Sequence, residues 1–223
     1  MKLDRDKYTV EEETRALLRA TRKRIRAWHG GTGRETAPQG RLHKNARRDF
    51  ALLSAVAITG VRVSEIAGLR HGDMVNLTLK DGDHARLRVR RAKKKDRNTG
   101  GPVFEDVILP HTARVAMIDY VAKIPPSEKE PHCRVFPITT RAIERLFKYY
   151  AKRAELNPRL SIHALRHGYA VELYRQHRDL ELVRRALGHE NINTTQIYMH
   201  VVDGEKKLAS MSMDLGGDLD DPA

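Results

Sequence analysis

A single cysteine, Cys133, leaves no partner for an internal disulfide and rules out a cysteine-based zinc site, which suits a reducing compartment. Aromatic residues make up only 5% of the chain, which argues against binding single strands by stacking bases on aromatic platforms. No apolar run approaches the ~18–20 residues that span a bilayer. Met1-Lys2-Leu3-Asp4-Arg5-Asp6 lacks the apolar core of a signal peptide. A cytoplasmic protein without membrane contact is therefore expected. No P-loop or dinucleotide glycine pattern occurs, so no nucleotide cofactor is expected.

What the chain does have is a core and a charge. At 223 residues with 40% hydrophobic residues it is long enough for one sizeable domain, and wholesale disorder is excluded. There are 42 Lys and Arg against 29 Asp and Glu, a net charge of +13. Four of those acids, Asp214, Asp218, Asp220 and Asp221, follow the last cation, Lys207, so residues 1–207 carry +17. Such an excess points to a polyanionic partner, most simply nucleic acid, although positive charge also aids solubility.

Residues 1–8 are polar and read as a flexible N-terminus. Thr9-Val10-Glu11-Glu12-Glu13 reads as a helix start with acids in the first turn, carried to about residue 28 by Ala16, Leu17, Leu18, Ile25 and Trp28. Gly30-Gly31-Thr32-Gly33 ends it, and residues 30–42 read as a loop. A second helix is expected from about Lys44 to Ile58, broken by Gly60, and a short third one from Glu65 to Leu69 capped by Ser64. The period then changes to two over 74–79 and 85–90, around an Asp81-Gly82 turn signal, with a further strand from Val103 to Leu109 stopped by Pro110. Helices are expected at about 111–122, 139–155, 161–176, 179–187 and 193–200. The fold class is mainly α with a small three-stranded antiparallel sheet.

Several residues carry possible chemistry, each with a plainer reading beside it. His163-Ala164-Leu165-Arg166-His167 lies in a helix where His163 and Arg166 share a face, pairing a titratable group with a fixed cation that suits a phosphate. The four-residue step from His163 to His167 is also a zinc spacing, but no HExxH glutamate or obvious acidic ligand accompanies it. His189 follows a helix-ending Gly188, and Tyr198 comes nine residues later on a short helix, where a tyrosine is usually half-buried packing. Arg62 precedes a helix start and could join its free N–H groups in holding an anion, or simply pair with Glu65. Lys93, Lys94 and Lys95 end a strand. A lysine run there is usually solvated, and it also suits a DNA groove.

Taken together the order is more specific than its parts. Thr59-Gly-Val-Arg62-Val-Ser-Glu65-Ile-Ala-Gly-Leu-Arg70 resembles the first arginine box of the tyrosine recombinases, the phage integrase family. His163-Ala-Leu-Arg166-His167 is similar to their H-x-x-R box. Leu187-Gly-His189-Glu-Asn-Ile-Asn-Thr-Thr-Gln-Ile-Tyr198-Met-His200 resembles their final box, and the hairpin ending at Lys93 resembles their lysine-bearing β-turn. The resemblance implies the tyrosine-recombinase catalytic-domain fold over residues 9–203, a C-terminal segment with an acidic tail over 204–223, and no helical N-terminal core-binding domain. The size is similar to the short fimbrial phase-variation recombinases, and a dissected catalytic domain of a longer integrase is the other reading. Three lysines in a row and the Asp96-to-Pro102 insertion depart from the family pattern. Counting from Val89 favours Lys93, with Lys94 next.

The resemblance implies strand cleavage without metal or ATP. Tyr198 would be the nucleophile, Arg62 and Arg166 would neutralise the transition state, Lys93 would protonate the leaving 5′-oxygen, and His163 would take the tyrosine proton. His189 would bond a non-bridging oxygen, and Glu65 would hold the arginines in position. Double-stranded DNA is the implied partner, contacted by Lys94, Lys95 and a helix bearing Arg141, Arg145, Lys148, Lys152 and Arg153. A nucleoid-associated monomer would assemble as a homotetramer on paired sites. The segment after Tyr198 would pack through Val201, Val202, Leu208 and Met211 into a neighbour, or else fold back on its own domain. A type IB topoisomerase, or a non-catalytic DNA-binding regulator on the same fold, are the competing readings.

Overall fold

In the computed structural model residues 4–29, 37–78, 84–96 and 98–204 are described, and side chains at 26–29, 37–44 and 93 are not. Residues 30–36 of the loop expected over 30–42, the Asp81-Gly82 turn and the acidic tail with Leu208 and Met211 therefore lie outside the described residues, as does the side chain of Trp28.

Helices dominate because apolar residues recur at helical spacing. Helix α1 spans Glu11–His29, its first turn carrying Glu11, Glu12 and Glu13 where the helix dipole favours acids. Helix α2 is Ala37–Thr59, the central one, with Leu52, Leu53, Ala55 and Val56 buried. It starts earlier than the expected Lys44. Pro38 falls in the first turn, where a missing N–H costs nothing, so the stretch from Ala37 to Arg41 is helix and not loop. Helix α3 is Val63–Ala67, two residues earlier than expected. Arg62 takes the cap position in place of Ser64, because the Glu65 carboxylate folds back to accept the Arg62 N–H at 2.9 Å.

The sheet is antiparallel in the order β1-β2-β3. Strand β1 is only Met74–Val75, since Asn76 at φ 52° turns the chain out of the extended region. Strand β2 runs Arg86–Lys95 and β3 runs Pro102–Ile108. Their pairing is regular from Arg86↔Ile108 to Arg90↔Phe104 and then slips before Lys95↔Pro102. The three lysines thus lie inside a strand, at an irregularity of the kind that re-aims side chains.

Helices α4 (His111–Ala122), α5 (Thr140–Arg153), α6 (His163–His177) and α7 (Leu180–Leu187) follow. A 3-10 turn, Ile192–Thr194, then leads into a last helix, α8, over 196–204. Helix α5 buries Ile143, Phe147, Tyr150 and Ala151, one face at helical spacing. The main core gathers α2, α3, the sheet, α4, α5 and the start of α6. A second, smaller core unites Ala170, Val171 and Tyr174 of α6 with Val183, Leu187, Tyr198 and Val202. Burying each large apolar side chain there contributes about 1.5–3 kcal/mol. This second core fastens α8 to its own domain. Val202 is buried in it and Val201 packs against it, so these two residues fold back and are not presented to a neighbour. Among the described residues, no helix is long and apolar enough to cross a membrane.

Candidate active site

The site forms where the two cores meet. Arg62 caps α3 and donates from Nη1 to Glu65 Oε1 at 2.8 Å. Glu65 is buried, and its carboxylate also receives the Ala92 N–H at 3.3 Å and Arg91 Nη1 at 3.4 Å. Burial alone would raise its pKa. The hydrogen bonds from the Arg62 backbone and guanidinium, with the charge of Arg91, outweigh that and hold it below the usual carboxylate range.

Arg166 comes from the buried face of α6. Its guanidinium donates to the carbonyls of Gly60 (2.5 Å) and Leu187 (2.8 Å), tying the α2–α3 turn to the end of α7. Gly60 sits at φ +64°, and a Cβ there would stand 2.4 Å from the Tyr169 ring, so only glycine lets this carbonyl approach. Burial, then the like charge of Arg62, pulls Arg166 down to about 10, which still leaves it protonated at neutral pH.

His189 follows Gly188, the left-handed cap of α7, and its Nδ1 lies 3.1 Å from Thr195 Oγ1. Burial and the charges of Arg166 and Arg62 push it down to about 4, so it is a neutral imidazole. Tyr198, on α8, is 1% exposed. Burial drives its phenol up to about 12, opposed by the charges of Arg166 and Arg62. Tyr198, His189, Arg62 and Arg166 therefore share one electrostatic environment.

The histidine that touches the phenol is not the expected one. His163 stands exposed at the first position of α6, while His167 Nδ1 lies 3.0 Å from the Tyr198 oxygen. His167 is one step past Arg166 on α6, and that step turns it toward α8. The H-x-x-R-H string contained this residue, but nothing in the spacing told which of its two histidines would meet the tyrosine. Arg91 was missed as well. It is an arginine in phase with the buried Leu87 and Val89 of β2, and that inward phase was its signal.

The other expected residues are spread over the surface. The backbone of Lys93 lies in β2, directly after Ala92, and its side chain is outside the described residues. Lys94 pairs with Glu105, and Lys95 is exposed. On α5, Arg141, Arg145, Lys148 and Lys152 form one exposed stripe, with Lys148 Nζ donating to the Pro158 carbonyl at 2.6 Å. Arg153 leaves this stripe and lies 3.7 Å over the Tyr149 ring. Among the described residues no three His, Cys, Asp or Glu side chains come together as a metal-holding group.

The phage integrase family profile matches residues 35–205, which contain every one of these groups. The chain belongs to the phage integrase family. Tyrosine recombinase XerD of Shewanella oneidensis is 34% identical over 156 residues, covering 69% of this chain and 49% of that one. Tyrosine recombinase XerD of Bradyrhizobium diazoefficiens is 33% identical over 195 residues, covering 81% and 56%. This integrase-family chain thus spans about half the length of the curated relatives it matches. Its fold is shared with XerH site-specific recombinase, solved bound to a palindromic difH substrate as a post-cleavage complex. The TM-score is 0.68 at 21% identity, over 93% of this chain and 53% of that one.

Proposed function

We propose that this chain is the catalytic part of a site-specific DNA recombinase that cuts and rejoins double-stranded DNA through a 3′-phosphotyrosine. The observation that carries this reading is the gathering of buried Tyr198 and Arg166 with half-buried Arg62 and His189, from four separate elements, into one site in a chain of the phage integrase family.

The Tyr198 oxygen attacks the scissile phosphorus and loses its proton, the P–O5′ bond breaks, and the 5′-oxygen leaves with a proton of its own. The pentavalent transition state carries extra negative charge, which the guanidiniums of Arg62 and Arg166 neutralise with planar, permanently charged forks. Neutral His189 donates to a non-bridging oxygen. Lys93 protonates the leaving oxygen. An imidazole, His167 in the folded arrangement or His163 from the exposed start of α6, takes the phenol proton. Glu65 holds Arg62 by two hydrogen bonds. Since the phosphotyrosine conserves the phosphodiester energy, a second 5′-hydroxyl can reverse the step, and two rounds of exchange pass through a Holliday junction. No metal or nucleotide enters any of these steps.

At 1% exposure the Tyr198 ring must leave its pocket before its oxygen can meet a duplex, so α8 moves when DNA binds. The exposed stripe of α5, with Lys94 and Lys95, contacts the phosphates. Four protomers assemble on paired sites. The deciding experiment is a nicked suicide duplex resolved on a denaturing gel. The wild-type chain forms a covalent band and Tyr198→Phe does not, while both shift the same duplex under native conditions. A persistent adduct in the variant would move the nucleophile to another residue.

A further inference from the structure

From Ala85, just before β2, the buried positions alternate through Leu87, Val89 and then Arg91, so strand alternation carries a guanidinium to a place prepared for an apolar side chain. The Arg91 side chain is 2% exposed. Two carboxylates receive it: Glu105 accepts from Nε at 2.7 Å, and Glu65 accepts from Nη1 at 3.4 Å. Each carboxylate holds a second cation, Arg62 on Glu65 and Lys94 on Glu105. Glu65 also takes the N–H of Ala92, the residue before Lys93. On the other side lies Gly188, where a Cβ would stand 2.8 Å from Arg91 Nε and Cζ, so the turn into His189 rests directly on the guanidinium.

One buried cation, two residues before Lys93 on β2, therefore touches three other segments: the start of α3 through Glu65, strand β3 through Glu105, and the turn before His189. We infer that Arg91 is a positioning residue that sets the lysine end of β2 against the arginine cluster, acting through Glu65 and Glu105. The inference rests on the recombinase reading above. The slipped register between Arg90 and Lys95 supplies the reason such a device is needed. Regular pairing with β3 no longer fixes this stretch, and the ion-pair network takes its place. Both carboxylates are held below their ordinary range. Burial opposes this in each case, and the hydrogen bonds of Arg62 to Glu65 and of Lys94 and Arg91 to Glu105 overcome it. They stay ionised, so the network persists at neutral pH. A lysine at position 91 offers a point charge in place of a fork and cannot serve both carboxylates in the same geometry.

The test compares Arg91→Met, Arg91→Lys, Lys93→Ala and Lys94→Ala on suicide duplexes with either an ordinary or a 5′-bridging sulfur leaving group. Sulfur leaves without taking up a proton, so it rescues a defect in proton delivery and no other. Arg91→Met should bind DNA as the wild type does, cleave ordinary DNA about 10–100-fold more slowly, as loss of a positioning partner does, and recover most of that loss with sulfur. Arg91→Lys should fall between. Wild-type cleavage by Arg91→Met would overturn the inference. So would an equal loss with oxygen and sulfur while either lysine variant is rescued, and in that case the recombinase reading stands. If neither lysine variant is rescued, the general-acid step of that reading fails and the inference fails with it. Should Arg91→Met not fold by thermal melting, Glu105→Gln, at a side chain 29% exposed, carries the same comparison.

Discussion

The phenol oxygen of Tyr198 lies 3.0 Å from Nδ1 of His167, with the two rings tilted at 46° and their centroids 5.9 Å apart. The direction of that hydrogen bond follows from the two environments. Burial, then the charge of Arg166, pushes His167 down to about 4, and burial pushes Tyr198 up to about 12. The phenol therefore keeps its proton and donates a hydrogen bond to a neutral imidazole, which holds the Tyr198 oxygen inward.

Stability should fall on acidification below pH 6.5. His167 and His189 both have folded values near 4 against 6.5 when unfolded, so between those limits the unfolded chain binds more protons. Stability is complete above about pH 6.5 and declines toward pH 4, by up to about 1.4 kcal/mol per pH unit for each histidine. Thermal melts from pH 7.5 to 4.5 should show this slope, and His167→Gln should make it shallower. An unchanged slope in that variant would place the titration elsewhere.

Arg62→Lys and Arg166→Lys should each lose at least about tenfold in single-turnover cleavage although charge is conserved, because an ammonium cannot grip two phosphate oxygens at once. Arg166→Lys should also lower the melting temperature. It gives up one of the two hydrogen bonds that Arg166 donates to the buried carbonyls of Gly60 and Leu187, a loss of about 1–3 kcal/mol. Arg62→Lys should disturb stability less, since among the described residues Arg62 forms its ion pair with Glu65, three positions away on the same turn.

Affinity for a single duplex site should fall steeply with salt. Each phosphate neutralised contributes about 0.9 to the log–log slope. Arg141→Ala, Arg145→Ala and Lys152→Ala, all on the exposed stripe of α5, should each flatten the slope by roughly that amount. Arg153→Ala should change it less, because Arg153 stacks on Tyr149. Mobility shifts across a salt series decide this. Equal effects at all four positions would mean the face is read wrongly.

Ending the chain at Gly204 should leave folding and single-site binding nearly intact, since Val201 and Val202 remain packed in the second core. The same truncation should abolish synapsis and strand exchange if residues after 204 link protomers. Full recombination by the shortened chain would show that assembly rests on other surfaces.

Much of this was legible in the chain alone. The mainly helical class and the antiparallel sheet follow from local spacing, because helix and strand periodicity and turn residues act over a few positions, whereas Tyr198, Arg62, Arg166 and His189 stood out only through the family resemblance of the boxes that hold them. The start of α2 and the brevity of β1 were misread for equally local reasons: Pro38 is harmless in a first turn, and Asn76 adopts a left-handed backbone. Which histidine meets Tyr198, and why Arg91 is buried, are of another kind. His167 and Tyr198 are 31 residues apart, and Arg91 and Glu65 are 26 apart. No periodicity reaches across such intervals. Only the packing of α8 on α6, and of β2 against α3 and the Gly188 turn, brings these groups together. Burial then decides their charge states by removing the water that would otherwise solvate the ionised forms.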